Sequence, residues 1–266
     1  MTIHAIIDDC MPYIVAMAAG RYAISLGGSR GKRIDDNRSD IDFRLFCDAA
    51  VGGDACYQTP EWQRFEERVD YWRTQGIHID YCWIRTVADI DAQIDAWLSG
   101  HGRATEMVWT LWGYHVLTDI TNQYVITDEH GLIATWQARL TPYPDQLKRA
   151  IVTKHVESLV YWKSDYHYHN KVIRSDVVFL AGMGARLVHD MMQIIFALNE
   201  HYYVGDGNNL RYVETFALKP ANMSQRVTEA LQALSQPTLQ YELFQQLIAD
   251  VLACVPAELL PTRRIW

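Results

Sequence analysis

Strand-forming patterns in this chain stop at Thr141-Pro142-Tyr143-Pro144, and that division constrains the fold more than any other feature. Two prolines in four residues cannot continue a regular element. Before them, short apolar runs alternate with helical patterns. Tyr22 to Leu26 ends in Gly27-Gly28, and Asp40 to Cys47 and Ile77 to Ile84 supply two further strand candidates. Thr59-Pro60-Glu61 is a helix start, with a capping hydroxyl, a proline at the first position and an acid in the first turn. Trp62, Phe65, Val69 and Trp72 continue it at helical spacing, and Gly76 closes it. Pro12 to Ala19 reads as a short helix closed by Gly20, and Ala88 to Leu98 and Thr105 to Trp112 read as helices. Tyr114 to Leu117 and Tyr124 to Thr127 read as a hairpin or paired edge strands. Beyond Pro144, long helical patterns cover Asp145 to Tyr166, Asp176 to Tyr203, Asn222 to Leu234 and Leu239 to Val255. The expectation is an α/β part over residues 1–142 and a helical part over residues 143–266.

With 266 residues, 49% of them apolar, the chain can bury a sizeable core. A net charge of −8 argues against a general nucleic-acid binder, which carries basic patches. The five cysteines, Cys10, Cys47, Cys56, Cys82 and Cys254, are scattered and form no Cys-x-x-Cys pair. That pattern fits a reducing cytoplasm better than a disulfide framework or a zinc ribbon. Met1-Thr2-Ile3-His4-Ala5 lacks the basic-then-apolar pattern of a signal peptide. The most apolar stretch, Val177 to Leu198, contains Arg186, His189 and Asp190, which points to a buried globular helix rather than a membrane span, and no membrane is expected as a partner.

The chemistry concentrates around Leu26-Gly27-Gly28-Ser29, ten residues ahead of Asp40-Ile41-Asp42-Phe43. On a strand, Asp40 and Asp42 point to the same side. Two carboxylates held that way repel each other unless a cation lies between them, and Mg²⁺ takes such oxygen ligands together with phosphate oxygens. The Gly28-Ser29 turn offers backbone N–H groups and a hydroxyl to phosphate. Asp80 lies within Ile77-His78-Ile79-Asp80-Tyr81-Cys82-Trp83-Ile84, where apolar flanks make an uncompensated carboxylate expensive. It is read as a third metal ligand, a general base for a substrate hydroxyl, or both. Arg30, Lys32, Arg33 and Arg38 follow the turn, and Arg30 or Lys32 is expected to touch a triphosphate. Arg44 shares the acids' strand parity and is expected to pair with one of them or with phosphate. Gly27 to Arg33 does not form a P-loop, because the glycine spacing is one residue short and Arg33 stands where Ser or Thr holds Mg²⁺.

Together these residues resemble the nucleotidyltransferase superfamily related to DNA polymerase β. Its signature is an apolar residue, Gly, Gly or Ser, about a dozen residues or slightly fewer, then Asp-apolar-Asp/Glu-apolar, with a third carboxylate on a later strand. Here Leu26, Gly28-Ser29, Asp40-Ile41-Asp42-Phe43 and Asp80 occur in that order. The resemblance implies a nucleotidyltransferase domain with a mixed sheet followed by an all-helical domain, as in the stand-alone aminoglycoside and lincosamide adenylyltransferases. It further implies two Mg²⁺ ions on Asp40, Asp42 and Asp80, ATP or another NTP at Gly28, Ser29, Arg30 and Lys32, and a small-molecule acceptor held mainly by the helical domain. The expected reaction transfers AMP to an acceptor hydroxyl, in a cytoplasmic monomer or homodimer. The alternatives are an antitoxin-type relative that adenylylates a partner protein, and a non-catalytic nucleotide-binding protein. Relatives place a basic residue where this chain has Gly207-Asn208-Asn209.

In the helical half, Tyr161-Trp162, Tyr166, Tyr168, Tyr202-Tyr203 and Tyr212 are first of all packing, and also suit a pocket wall. Asp165, Asp176, Glu200 and Asp206 suit caps or a negative lining. His167 and His169 are two apart and make a poor chelate on a helix, while His189-Asp190 reads as a hydrogen-bonded core pair rather than a zinc site.

Overall fold

The computed structural model describes residues 2–103, 116–204, 207 and 209–260. The chain divides into two compact units, one comprising Met1–Trp97 with Val116–Pro142, the other Leu98–His115 with Tyr143–Trp266.

The first unit opens with helix α1 (Ile3–Ala16), whose buried Ile6, Ile7, Cys10 and Ile14 recur at helical spacing. Pro12 lies inside this helix instead of starting it. An interior proline costs about 3 kcal/mol. Burying four apolar side chains at roughly 1.5–3 kcal/mol each outweighs that cost. Strand β1 (Ala18–Leu26) follows at once, so Gly20 does not close a helix. Its φ of +80° falls at a register shift in β1, and a Cβ there would meet the Asp48 carboxylate at 2.8 Å. A single turn, α2 (Gly28–Gly31), leads to strand β2 (Ile41–Ala50).

Helix α3 (Pro60–Thr74) is capped as expected, with Thr59 Oγ1 accepting from Trp62 N at 3.2 Å. It crosses over to strand β3 (Ile79–Thr86), and α4 (Val87–Leu98) follows. Short helix α5 (Val116–Thr121) and strand β4 (Tyr124–Thr127) replace the expected hairpin. Val116, Leu117 and Ile120 are buried at helical spacing, and the Asn122 amide donates to Thr118 O at 2.8 Å, closing α5. Tyr114, His115 and the expected helix over Thr105–Trp112 lie outside the described residues. Helix α6 (Leu132–Arg139), which periodicity did not announce, ends the unit.

The sheet is four-stranded and mixed, in the order β3-β2-β1-β4. β2 pairs antiparallel with β1 and parallel with β3, and β4 pairs antiparallel with β1. Ile41, Phe43, Leu45 and Cys47 of β2 join a core with Ile14 of α1 and Phe65, Val69 and Trp72 of α3. Strand alternation therefore turns Asp42, Arg44 and Phe46 to the opposite face. There Phe46 packs edge-on against Trp136 of α6, with ring centroids 5.3 Å apart.

The second unit is helical: α7 (Asp145–Ser164), α8 (Tyr166–Ile173), α9 (Val177–Leu198), α10 (Asn209–Thr215), α11 (Met223–Gln232) and α12 (Pro237–Ala253). Asp165 separates α7 from α8 by capping the His167 amide, and Asp176 caps α9 through Phe179 N at 3.3 Å. Helix α9 is long and apolar enough to cross a membrane by length and composition alone, yet 61% of its most apolar window is buried among the other helices. It serves as the core helix of this unit: Leu187, Met191, Ile194 and Ile195 pack with Val152 and Val156 of α7 and Phe244 of α12.

Candidate metal and phosphate site

Parallel pairing of β2 with β3 brings the start of one strand beside the start of the other. Ile41 sits opposite Ile79, but Phe43 sits opposite Cys82, so β3 carries one extra residue. The bulge lets Ile79 and Cys82 both face the core while Asp80 and Tyr81 stay out of it. Tyr81 absorbs the insertion with φ +52°, and its ring stacks on Trp62. A tyrosine in the left-handed region is costly and marks an over-determined site. The outcome is convergence: one ligand oxygen from each of Asp40, Asp42 and Asp80 lies within 4.8 Å of the others. Asp80 is exposed, so the burial cost expected for it falls instead on Asp42, whose side chain is 14% exposed.

The glycine turn is fitted to these acids. Gly27 N donates to Asp42 O at 2.9 Å, tying the turn to β2. Gly28 has φ +55°, and a Cβ there would stand 1.9 Å from Asp42 Oδ2. Only glycine meets both conditions. A Cβ on Gly31 would strike the Asn122 carbonyl oxygen at 2.1 Å, which seats α2 against the α5–β4 connection. Ser29 Oγ is buried with no hydrogen-bond partner among the described residues. A hydroxyl left so costs about 1–3 kcal/mol, which a ligand oxygen would recover.

The two basic candidates are placed differently. Arg30 bends back on its own loop, donating to Asp40 O at 2.9 Å, Ser39 O at 3.1 Å and Asp35 Oδ2 at 2.9 Å. It braces the backbone that carries Asp40. Lys32 lines a polar cavity of about 370 Å³ with Arg33, Asn122, Gln123 and Gln137.

Sequence reasoning missed Asp119, which it placed in a hairpin turn. On α5, Asp119 receives Arg44 Nε at 3.1 and 3.4 Å from its two oxygens. Arg44 is buried, donates to Phe43 O at 3.2 Å, and comes within 3.8 Å of Asp42. Burial pushes the Asp42 carboxyl up to about 6; Asp40, Asp80 and Asp119 add to the rise and Arg44 opposes it. At 4 Å, two like charges in a partly screened site repel by roughly 4 kcal/mol. This cluster therefore favours a bound cation, and its all-oxygen donor set suits a hard divalent one.

A second group gathers in the helical unit, where donor atoms of His155, His189 and Asp190 also lie within 4.8 Å of one another. Asp190 pairs with His155 across to α7, Nδ1 to Oδ1 at 2.7 Å. Ser158 Oγ donates to the other oxygen at 2.6 Å. Burial alone would raise the Asp190 carboxyl; the hydrogen bonds from His155 and Ser158, with the charges of His155 and Arg186, outweigh it and hold the group below the ordinary carboxylate range. With both oxygens taken, the group is a polar tie between α7 and α9.

A family model described as a domain of unknown function (DUF4037) matches residues 109–206. That stretch takes in Asp119, His155, Ser158 and Asp190. No curated protein matches the chain.

Proposed function

We propose that the protein is a Mg²⁺-dependent nucleotidyltransferase of the DNA polymerase β-like class, moving a nucleoside monophosphate, AMP from ATP, onto a hydroxyl of a small-molecule acceptor. The observation that carries this reading is the meeting of three carboxylates within 4.8 Å on a strand pair, with the Gly28 backbone pressed against one of them. Asp40, Asp42 and Asp80 are the residues that would hold divalent cations. When bound, such ions neutralise triphosphate charge and act as Lewis acids.

The chain's own residues do the rest. Gly28 lets the backbone of the turn press against the Asp42 carboxylate, and Ser29 Oγ supplies a donor that has no partner among the described residues. Arg30 fixes the loop bearing Asp40. Asp80, the exposed member of the trio, is open to an incoming hydroxyl and takes its proton. The acceptor oxygen bonds to the α-phosphorus, the bond from that phosphorus to the bridging oxygen breaks, and pyrophosphate leaves. The acceptor class that the resemblance favours is an aminoglycoside-like antibiotic, and the setting is the cytoplasm of a monomer- or homodimer-forming enzyme.

The test is pyrophosphate release by the purified protein with Mg-ATP and a panel of aminoglycosides, beside Asp42→Asn. Release that falls by a factor of about 10³ or more in the variant supports the assignment. Equal release from both proteins removes it.

A further inference from the structure

An arginine two residues from a metal-binding aspartate, on the same strand face, would ordinarily quench it. Arg44 stands in that position relative to Asp42. Its guanidinium carries a permanent charge, and it is buried, so it must be paired. Its hydrogen bonds go elsewhere, and with Asp42 it keeps an ion pair at 3.8 Å. Nε is directed at both oxygens of Asp119, at 3.1 and 3.4 Å, and NH1 at the Phe43 carbonyl, while Asp42 Oδ1 stays 3.8 Å away, beyond hydrogen-bond reach. The guanidinium also lies 5.2 Å from the centre of the Trp83 ring, on the residue paired with Arg44 across the β2–β3 ladder. Gly27 closes the other approach: a Cβ there would meet the guanidinium carbon and Nε at 2.8 Å. Arg44 is thus boxed by an acid, an indole and a bare backbone.

We propose that Asp119 is a positioning residue that takes the hydrogen bonds of Arg44, keeps its approach to Asp42 to an ion pair at 3.8 Å, and so sets the cation affinity of the Asp40–Asp42–Asp80 group; the inference rests on that group binding divalent metal. Asp119 does this as a competing carboxylate rather than as a ligand. Removing its charge turns Arg44 toward Asp42, where it competes with the cation. Removing Arg44 instead leaves Asp119 as extra negative charge beside the site.

The experiment is Mn²⁺ titration of the full chain by isothermal calorimetry, with electron paramagnetic resonance counting bound ions. Asp119→Asn is expected to weaken Mn²⁺ binding about tenfold, within the coupling range of residues that share one charge network. Arg44→Gln is expected to tighten it several-fold, and the double variant to return close to wild type. A double variant as weak as Asp119→Asn alone makes Asp119 a direct ligand and overturns the proposal. So does unchanged affinity in Asp119→Asn while wild type binds Mn²⁺ and Asp42→Asn does not, a result that leaves the metal assignment standing. A wild-type chain that binds no Mn²⁺ removes both. If Asp119→Asn does not fold, Arg44→Gln decides alone, and affinity equal to or weaker than wild type overturns the proposal.

Discussion

Gly28→Ala tests whether the turn is shaped around the Asp42 carboxylate, and the molecule contains its own control. Gly28 and Gly53 have nearly the same φ, +55° and +56°. Nothing lies within 4 Å of a Cβ built on Gly53, whereas one on Gly28 would stand 1.9 Å from Asp42 Oδ2. Alanine in the left-handed region costs roughly 1–2 kcal/mol at either site. Only at Gly28 is there an added overlap, roughly 1.5 Å short of ordinary contact. Overpacking of that kind adds about 1–3 kcal/mol. Gly53→Ala is therefore expected to lower stability by about 1–2 kcal/mol and Gly28→Ala by about 2–5 kcal/mol. Because the carboxylate is the part able to move, the second variant also loses its trio geometry, and Mn²⁺ affinity is expected to drop at least tenfold in Gly28→Ala alone. Urea unfolding and calorimetric Mn²⁺ titration of both variants give the two numbers. Equal destabilisation with equal affinity would refute the contact between turn and carboxylate.

Two further outcomes follow from the buried acids. The Asp42 carboxyl rises from 3.8 to about 6 on folding, so between those pH values the native state holds the proton more tightly than the unfolded chain. Stability of the metal-free protein is expected to fall as pH rises from about 4 to 6, by up to about 3 kcal/mol, then level off, and added Mg²⁺ at pH 7 is expected to restore much of it; thermal melts across that range that stay flat with and without Mg²⁺ would count against it. In the helical unit Asp190 is held below its ordinary value, so its contribution is present at neutral pH and lost as pH falls below about 4. Asp190→Asn, which leaves His155 and Ser158 facing a weaker acceptor, is expected to cost about 2–4 kcal/mol in a denaturant titration at pH 7, and a loss under 1 kcal/mol would exclude a structural tie.

Legibility tracked the length scale of the information. Thr59-Pro60-Glu61 announced α3 because capping is local; Asp40 and Asp42 stand out because their spacing against the glycine turn is local too, and Asp80 by its apolar flanks and its place in the order that the resemblance implies. Pro12 misled for the opposite reason: the stripe of Ile6, Ile7, Cys10 and Ile14 buried against the sheet outweighs the backbone's local preference. Val116 and Leu117, the described end of the expected strand over Tyr114 to Leu117, are helical because two apolar residues make too short a window for period to separate strand from helix. The β3 bulge was invisible, since an extra residue in a ladder is defined by the partner strand. Asp119 was missed because it is 77 residues from Asp42 in sequence and its tie to the site runs through Arg44.

The sheet-bearing unit is written in two passages of the polypeptide, residues 1–97 and 116–142, and the later one donates β4 and Asp119. A truncation after Trp97 would strip the outer flank of β1, exposing Ile24, Ser25 and Leu26 as an open ladder that invites intermolecular strand addition. It would also strand a buried guanidinium without its counter-ion. A fragment that keeps the whole sheet must therefore run through Pro142, well past the glycine turn and the three acids.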